Sequence, residues 1–194
     1  MKTKGILFST EMVQAILAGN KTMTRRIMKP QPDAQLFPCG TGKQYWAEKP
    51  DDLKAKYYKA KYAIDDILYV KETFIDLIDT SAGFYEYLYK ADCLPDYAKQ
   101  NRWQSSLFMP RKAARIFLKV TDVKAERLQD ITEEDAVREG LITNCLPRLS
   151  DTGSNEVFYN GNDYPTYHFK LLWQSINGKN SWDENLWVWC YSFE

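Results

Sequence analysis

The chain has 194 residues, with 26 Lys and Arg balanced by 26 Asp and Glu, one histidine and four cysteines. That length suits one domain with a single hydrophobic core, and His168 as the sole histidine excludes a His-rich zinc site or an H-E-x-x-H metalloprotease. The zero net charge is unevenly spread, since residues 1–62 hold 12 basic and 5 acidic side chains, and such polarity predicts a basic surface for an anionic partner.

Cys39, Cys93, Cys145 and Cys190 are widely spaced without a C-x-x-C pair, the pattern of reduced cytosolic thiols. Near the N-terminus only Ile6-Leu-Phe8 is continuously apolar, too short for a signal peptide. No apolar stretch approaches membrane-spanning length. A soluble cytoplasmic protein without a cofactor, a metal site or a membrane partner is expected.

In chain order, Ile6 to Phe8 reads as a buried strand. Ser9 or Thr10 caps a helix carrying Met12, Val13, Ile16 and Leu17 on one face, and Gly19-Asn20 ends it. Lys21 to Arg26 is extended and very polar. Residues 29–62, interrupted by Pro30, Pro32, Pro38 and Pro50, read as an insertion without regular sheet structure. Its basic end, Lys54 to Tyr62, reads as a short helix or an irregular segment. Ile67 to Glu72 and Tyr85 to Lys90 are predicted strands. Ala114 to Val123 alternates, with Ile116, Leu118 and Val120 on one face. Thr132-Glu-Glu-Asp135 opens a short helix that Gly140 ends. A second insertion spans about 141–164 and includes Gly153 and Gly161. A helix then starts near Pro165, with Phe169, Leu172, Trp173 and Ile176 at helical spacing, before Leu186 to Phe193 forms a terminal strand. Strands separated by short helices favour a mixed α+β, barrel-like single domain over residues 1–194, not a parallel βαβ sheet.

The most unusual stretch is Gly19-Asn-Lys-Thr-Met-Thr-Arg-Arg26, where three cations flank two hydroxyls. It lacks the glycines of a P-loop. Lys29 extends the cluster, and Arg111, Lys112 and Arg115 form a second one, together the composition that phosphate contacts require. A solvated, charge-protected edge strand would use the same residues.

Ile16-Leu-Ala-Gly-Asn-Lys-Thr-Met-Thr-Arg-Arg26 resembles the N-terminal motif of the ASCH domain, which is similar to the PUA domain of RNA-modifying enzymes. Asp66-Ile-Leu-Tyr-Val-Lys-Glu-Thr73 resembles the family's G-D-x-L-x-V-x-E strand, with Asp65 where glycine is usual. Met109 to Ile116, Leu128 to Gly140, and Phe169 to Gly178 with Trp187-Val-Trp189 resemble segments of phage and prophage members. The resemblance implies a PUA-like, small mixed β-barrel with flanking short helices, and a cleft for RNA or a modified nucleoside. One bacterial branch of the family consists of N4-acetylcytidine amidohydrolases. By motif position, their catalytic lysine, threonine and glutamate become Lys21, Thr24 and Glu139. Thr22, Arg25, Arg26, Glu72, Arg111 and Arg115 are the candidate substrate or nucleic-acid contacts.

The chemistry is consistent with those residue types. A threonine hydroxyl needs a nearby base, and a lysine can serve if burial or neighbouring cations hold it neutral. Glu139 would protonate the leaving amine or bind the cytosine edge. Strict strand alternation puts residues 21 and 24 on opposite faces, so the catalytic reading requires Lys21 to precede the strand. The alternative is a non-catalytic nucleic-acid-binding module of a phage or prophage. There the cations contact phosphate and Thr24 is an ordinary β-former; a phage protein acting chiefly through protein contacts is a third reading. Tyr69 and Trp187 are candidates for base stacking, against a plain core role.

Overall fold

In the computed structural model, residues 2–39, 45–48, 55–79, 84–141, 148–149, 157–158 and 164–194 are described. The strands are β1 (Thr3–Leu7), β2 (Met23–Ile27), β3 (Phe37–Cys39), β4 (Tyr45–Ala47), β5 (Tyr57–Lys59), β6 (Ile67–Lys71), β7 (Phe74–Asp79), β8 (Phe84–Tyr89), β9 (Phe117–Arg127), β10 (Arg148–Leu149), β11 (Val157–Phe158) and β12 (Trp187–Phe193). The helices are α1 (Thr10–Leu17), α2 (Pro95–Gln100), α3 (Glu133–Arg138) and α4 (Pro165–Asn177). The fold is mixed α+β. Cys145, Gly153 and Gly161, like most of the second insertion, lie outside the described residues.

The main sheet has the order β1-β6-β9-β12-β2. β1 and β6 are parallel, whereas β6, β9, β12 and β2 pair antiparallel. A barrel is the sequence expectation; among the described residues no closed barrel forms, and β1 and β2 remain its two edges. α1 connects those edges, and the Arg26 guanidinium donates from β2 to the Leu7 carbonyl on β1 at 2.7 Å.

β12 is buried along its whole length because the sheet is covered on both sides. Trp187, Trp189, Tyr191 and Phe193 enter one core with Ile6, Phe8, Val13, Leu68 and Val120. The alternate residues Val188 and Cys190 enter a second core with Leu128, Ala136, Phe169 and Trp173. A central strand buried on both faces suits its largely apolar run, which Ser192 alone interrupts.

β9 runs four residues beyond the predicted end at Val123. Its buried positions change phase, from Leu118 and Val120 to Val123 and Ala125. The pairing with β12 shifts at the same place, since Ser192 faces Asp122 whereas Phe193 faces Val120. Thr121 is the extra residue of a β-bulge, which bends the strand and lets both halves bury their apolar side chains.

The first insertion corrects its expectation. It holds a three-stranded antiparallel sheet, β3-β4-β5, and the Tyr-Tyr-Lys segment is strand, not helix. Pro38 is tolerated because β3 is an edge strand. β7, a strand the sequence pattern does not predict, forms a hairpin with β8, with Phe74 opposite Tyr89. Asp65, where the motif it resembles carries glycine, adopts φ +66°. The next carboxylate, Asp66, pins that turn by accepting from the backbone of Lys2 and Ala63 and from Lys4 Nζ.

Candidate functional site

α3 begins as its capping box dictates: the Thr132 hydroxyl accepts from the Asp135 amide at 3.1 Å. Three acidic residues occupy its first turn, complementing the helix dipole. Its C-cap is Glu139, an anion at the unfavourable end. Two buried basic side chains compensate. Lys21 Nζ donates to Glu139 Oε2 at 2.8 Å and to the Glu139 main-chain carbonyl at 2.7 Å, and Arg25 Nη1 lies 3.3 Å from Oε1. The side chains of Lys21 and Arg25 are fully buried, and that of Glu139 is 4% exposed.

Lys21 precedes β2, so strand alternation does not separate it from Thr24. It forms an isolated bridge with Glu139 instead. Gly140 makes this approach possible. It has φ +87°, and a Cβ there would fall 2.7 Å from Lys21 Cβ and 2.9 Å from Ala15 Cβ. Gly140→Ala is therefore expected to cost about 1–3 kcal/mol through backbone strain and overpacking, read as a lowered urea midpoint.

Arg25 ties four elements together. It meets Glu126 on β9 at 2.6 Å, Asp135 on α3 at 2.8 Å and Glu139, and its guanidinium lies 5.8 Å from the Phe169 ring on α4. Glu126 also accepts from the buried Cys190 thiol. α4 is anchored to α3 by Glu133, which accepts from the Thr166 amide and hydroxyl and so replaces a side-chain cap at Tyr164.

A cavity of about 270 Å³ opens over this cluster. Thr24, Arg25, Arg26, Lys29, Glu139 and Asn177 supply its polar lining, while Phe169, Leu172 and Trp173 from α4 supply much of its apolar wall. Thr24 is buried to 2% exposure, and its hydroxyl makes no hydrogen bond among the described residues. Burial pulls the Lys21 pKa below its ordinary value; Glu139 opposes that shift, and Arg26 and Arg25 reinforce it. Burial also lowers Arg26. An apolar wall beside a few convergent polar groups is the general form of a small-ligand site.

The other expected contacts lie elsewhere. Thr22 accepts from Arg138 at 3.4 Å and does not line the cavity. Glu72 and Arg115 form a separate, bidentate pair with both distances at 2.9 Å. Arg115 also binds Asp92 and stacks 3.9 Å from the Tyr89 ring centroid. Arg111 is exposed on a single 3₁₀ turn. Trp187 is 2% exposed within the core, which removes it as a base-stacking surface.

Asp135 and Glu126 were missed by sequence reasoning. Asp135 carried a signal, because it precedes Glu139 by one helical turn; Glu126 carried none. Phe169 and Trp173 read as core, and they are core residues that also face the cavity.

No family model, curated protein or solved structure matches the chain. Among the described residues, no group of three or more His, Cys, Asp or Glu could hold a metal ion, and no helix is long and apolar enough to cross a membrane.

Proposed function

We propose that the protein is an ASCH-type, PUA-like amidohydrolase that removes the N4-acyl group of a modified cytidine. The observation that carries this reading is the buried Lys21–Glu139 pair, whose carboxylate member lines a cavity together with Thr24, with Lys21 itself behind Glu139 and not in the lining. The ordered motif resemblances supply the family and the role of each residue.

In this mechanism, neutral Lys21 accepts the Thr24 proton as Oγ1 attacks the acyl carbonyl carbon. The resulting oxyanion develops beside Arg25 and Arg26, cations already fixed in a water-poor site. Collapse breaks the carbon–N4 bond, and the leaving amine takes its proton from the Lys21–Glu139 pair. Water then hydrolyses the threonine ester, releasing the carboxylate and restoring Thr24. Phe169, Leu172 and Trp173 offer the base an apolar wall.

A second reading is a nucleic-acid-binding module without chemistry. It is favoured by the bond from Lys21 Nζ to the Glu139 main-chain carbonyl, which caps α3 and gives the lysine a purely structural task. Incubation with N4-acetylcytidine, followed by chromatography, separates the two. Release of cytidine and acetate in equal amounts is the expected result. Saturable binding of the nucleoside without any cytidine would select the binding module.

A further inference from the structure

We propose that the outer face of the β3-β4-β5 sheet is a stacking platform for single-stranded RNA, leading the chain past Lys29 into the cavity. The choice of RNA among anionic chains rests on the nucleoside reading of that cavity; the platform's geometry does not.

Directly paired residues of an antiparallel sheet share a face. The register pairs Phe37 with Ala47 and Ala47 with Tyr57, and it pairs Cys39 with Tyr45 and Tyr45 with Lys59. These six residues therefore occupy one face, while Pro38, Trp46 and Tyr58 occupy the other. The inner face serves the core: Tyr58 is buried in it and Trp46 packs against it. The outer face leaves Phe37, Tyr45 and Tyr57 exposed at 46%, 40% and 63%. One exposed ring is ordinary, but three gathered on one small sheet form a patch.

Cations are interleaved with these rings. Lys59 Nζ sits 5.1 Å from the Tyr45 centroid. Lys29, Lys56 and Lys59 line a groove of about 360 Å³ with Tyr57, Tyr58 and Trp189. Lys29 also lines the cavity together with Thr24 and Glu139, so groove and cavity share a wall. Asp33 neutralises Lys56, but neither Lys29 nor Lys59 has a carboxylate partner among the described residues. Exposed rings beside unpaired cations complement the alternating bases and phosphates of a single strand. An acidic peptide would use the lysines but leave the three rings without a matching π-face.

Fluorescence anisotropy with a labelled oligocytidylate RNA octamer tests the proposal on the full chain. Tyr57→Ala and Phe37→Ala are each expected to raise Kd about tenfold, the loss of one stacked base. Lys59→Ala should flatten the salt dependence by about 0.7 in log–log slope. Turnover of free N4-acetylcytidine should be unchanged in the Tyr57 and Phe37 variants. A Kd within twofold of wild type in the Tyr57→Ala, Phe37→Ala double variant overturns the platform. So does absence of binding at micromolar protein, or tighter binding of the DNA octamer of the same sequence. If the variants weaken RNA binding while no nucleoside is ever hydrolysed, the platform stands and the amidohydrolase reading falls.

Discussion

Arg25→Met is expected to lower the stability of the protein by about 3–5 kcal/mol, because it removes one partner of a buried ion cluster and strands the others. Methionine fills much of the arginine stem's volume, so the loss is chiefly electrostatic. Three carboxylates are affected. Glu126 keeps the Cys190 thiol and a lysine at 4.0 Å, Asp135 keeps Arg138 at 3.7 Å, and Glu139 keeps Lys21 at 2.8 Å. Only Glu139 retains a close cation. Arg25→Lys should lose less, since the charge survives although the fork that reaches several oxygens does not. Neutralising the stranded groups by adding Glu126→Gln and Asp135→Asn to Arg25→Met should recover part of the loss, a non-additivity expected of contacting residues. Urea denaturation followed by tryptophan fluorescence measures all four proteins. A loss below about 1 kcal/mol in Arg25→Met would mean that water or a relaxed neighbour replaces the guanidinium.

The residues legible in the sequence were those whose constraint is local. Ser9 caps α1 by accepting from the Met12 amide, Thr132 caps α3 and Pro165 opens α4. Each is dictated within four residues by the unsatisfied groups of a helix end. Spacing also revealed β12, because alternate residues must supply two cores. What escaped was non-local. β3, β4 and β5 have three residues each, too short to express a period of two. The parallel pairing of β1 with β6 joins segments about sixty residues apart and leaves no local trace. The Lys21–Glu139 pair was legible only through motif position, whereas Glu126 enters the cluster because the β9 and β12 register carries it there.

Thr24→Ala is expected to lower kcat/KM for N4-acetylcytidine by at least about 10³-fold, and Lys21→Met by about 10²–10⁴-fold, as nucleophile and base respectively. The alanine leaves the cavity walls and the ion cluster in place, so nucleoside binding should change far less than turnover. Equal losses in binding and turnover would make Thr24 a contact only. The pH dependence adds an independent check on Lys21. Burial lowers its folded pKa below the ordinary 10.5, so kcat/KM should rise with pH to an inflection below that value and then level. Stability follows the same titration. Between the lowered folded pKa and the unfolded value, the unfolded chain binds more protons. Stability therefore rises with pH across that window, by at most about 1.4 kcal/mol per pH unit. The cost of charging Lys21 is fully present below the folded pKa and vanishes above 10.5. Cys190 and Tyr191 act oppositely: burial raises both, so their contribution falls as pH climbs past their unfolded values. Both groups remain in Lys21→Met. The difference in stability between wild type and Lys21→Met isolates the lysine, and it should climb with pH through the window in which turnover appears. A flat difference would show that Glu139 holds Lys21 charged throughout, which removes the base from the mechanism and leaves the cap on α3 as its role.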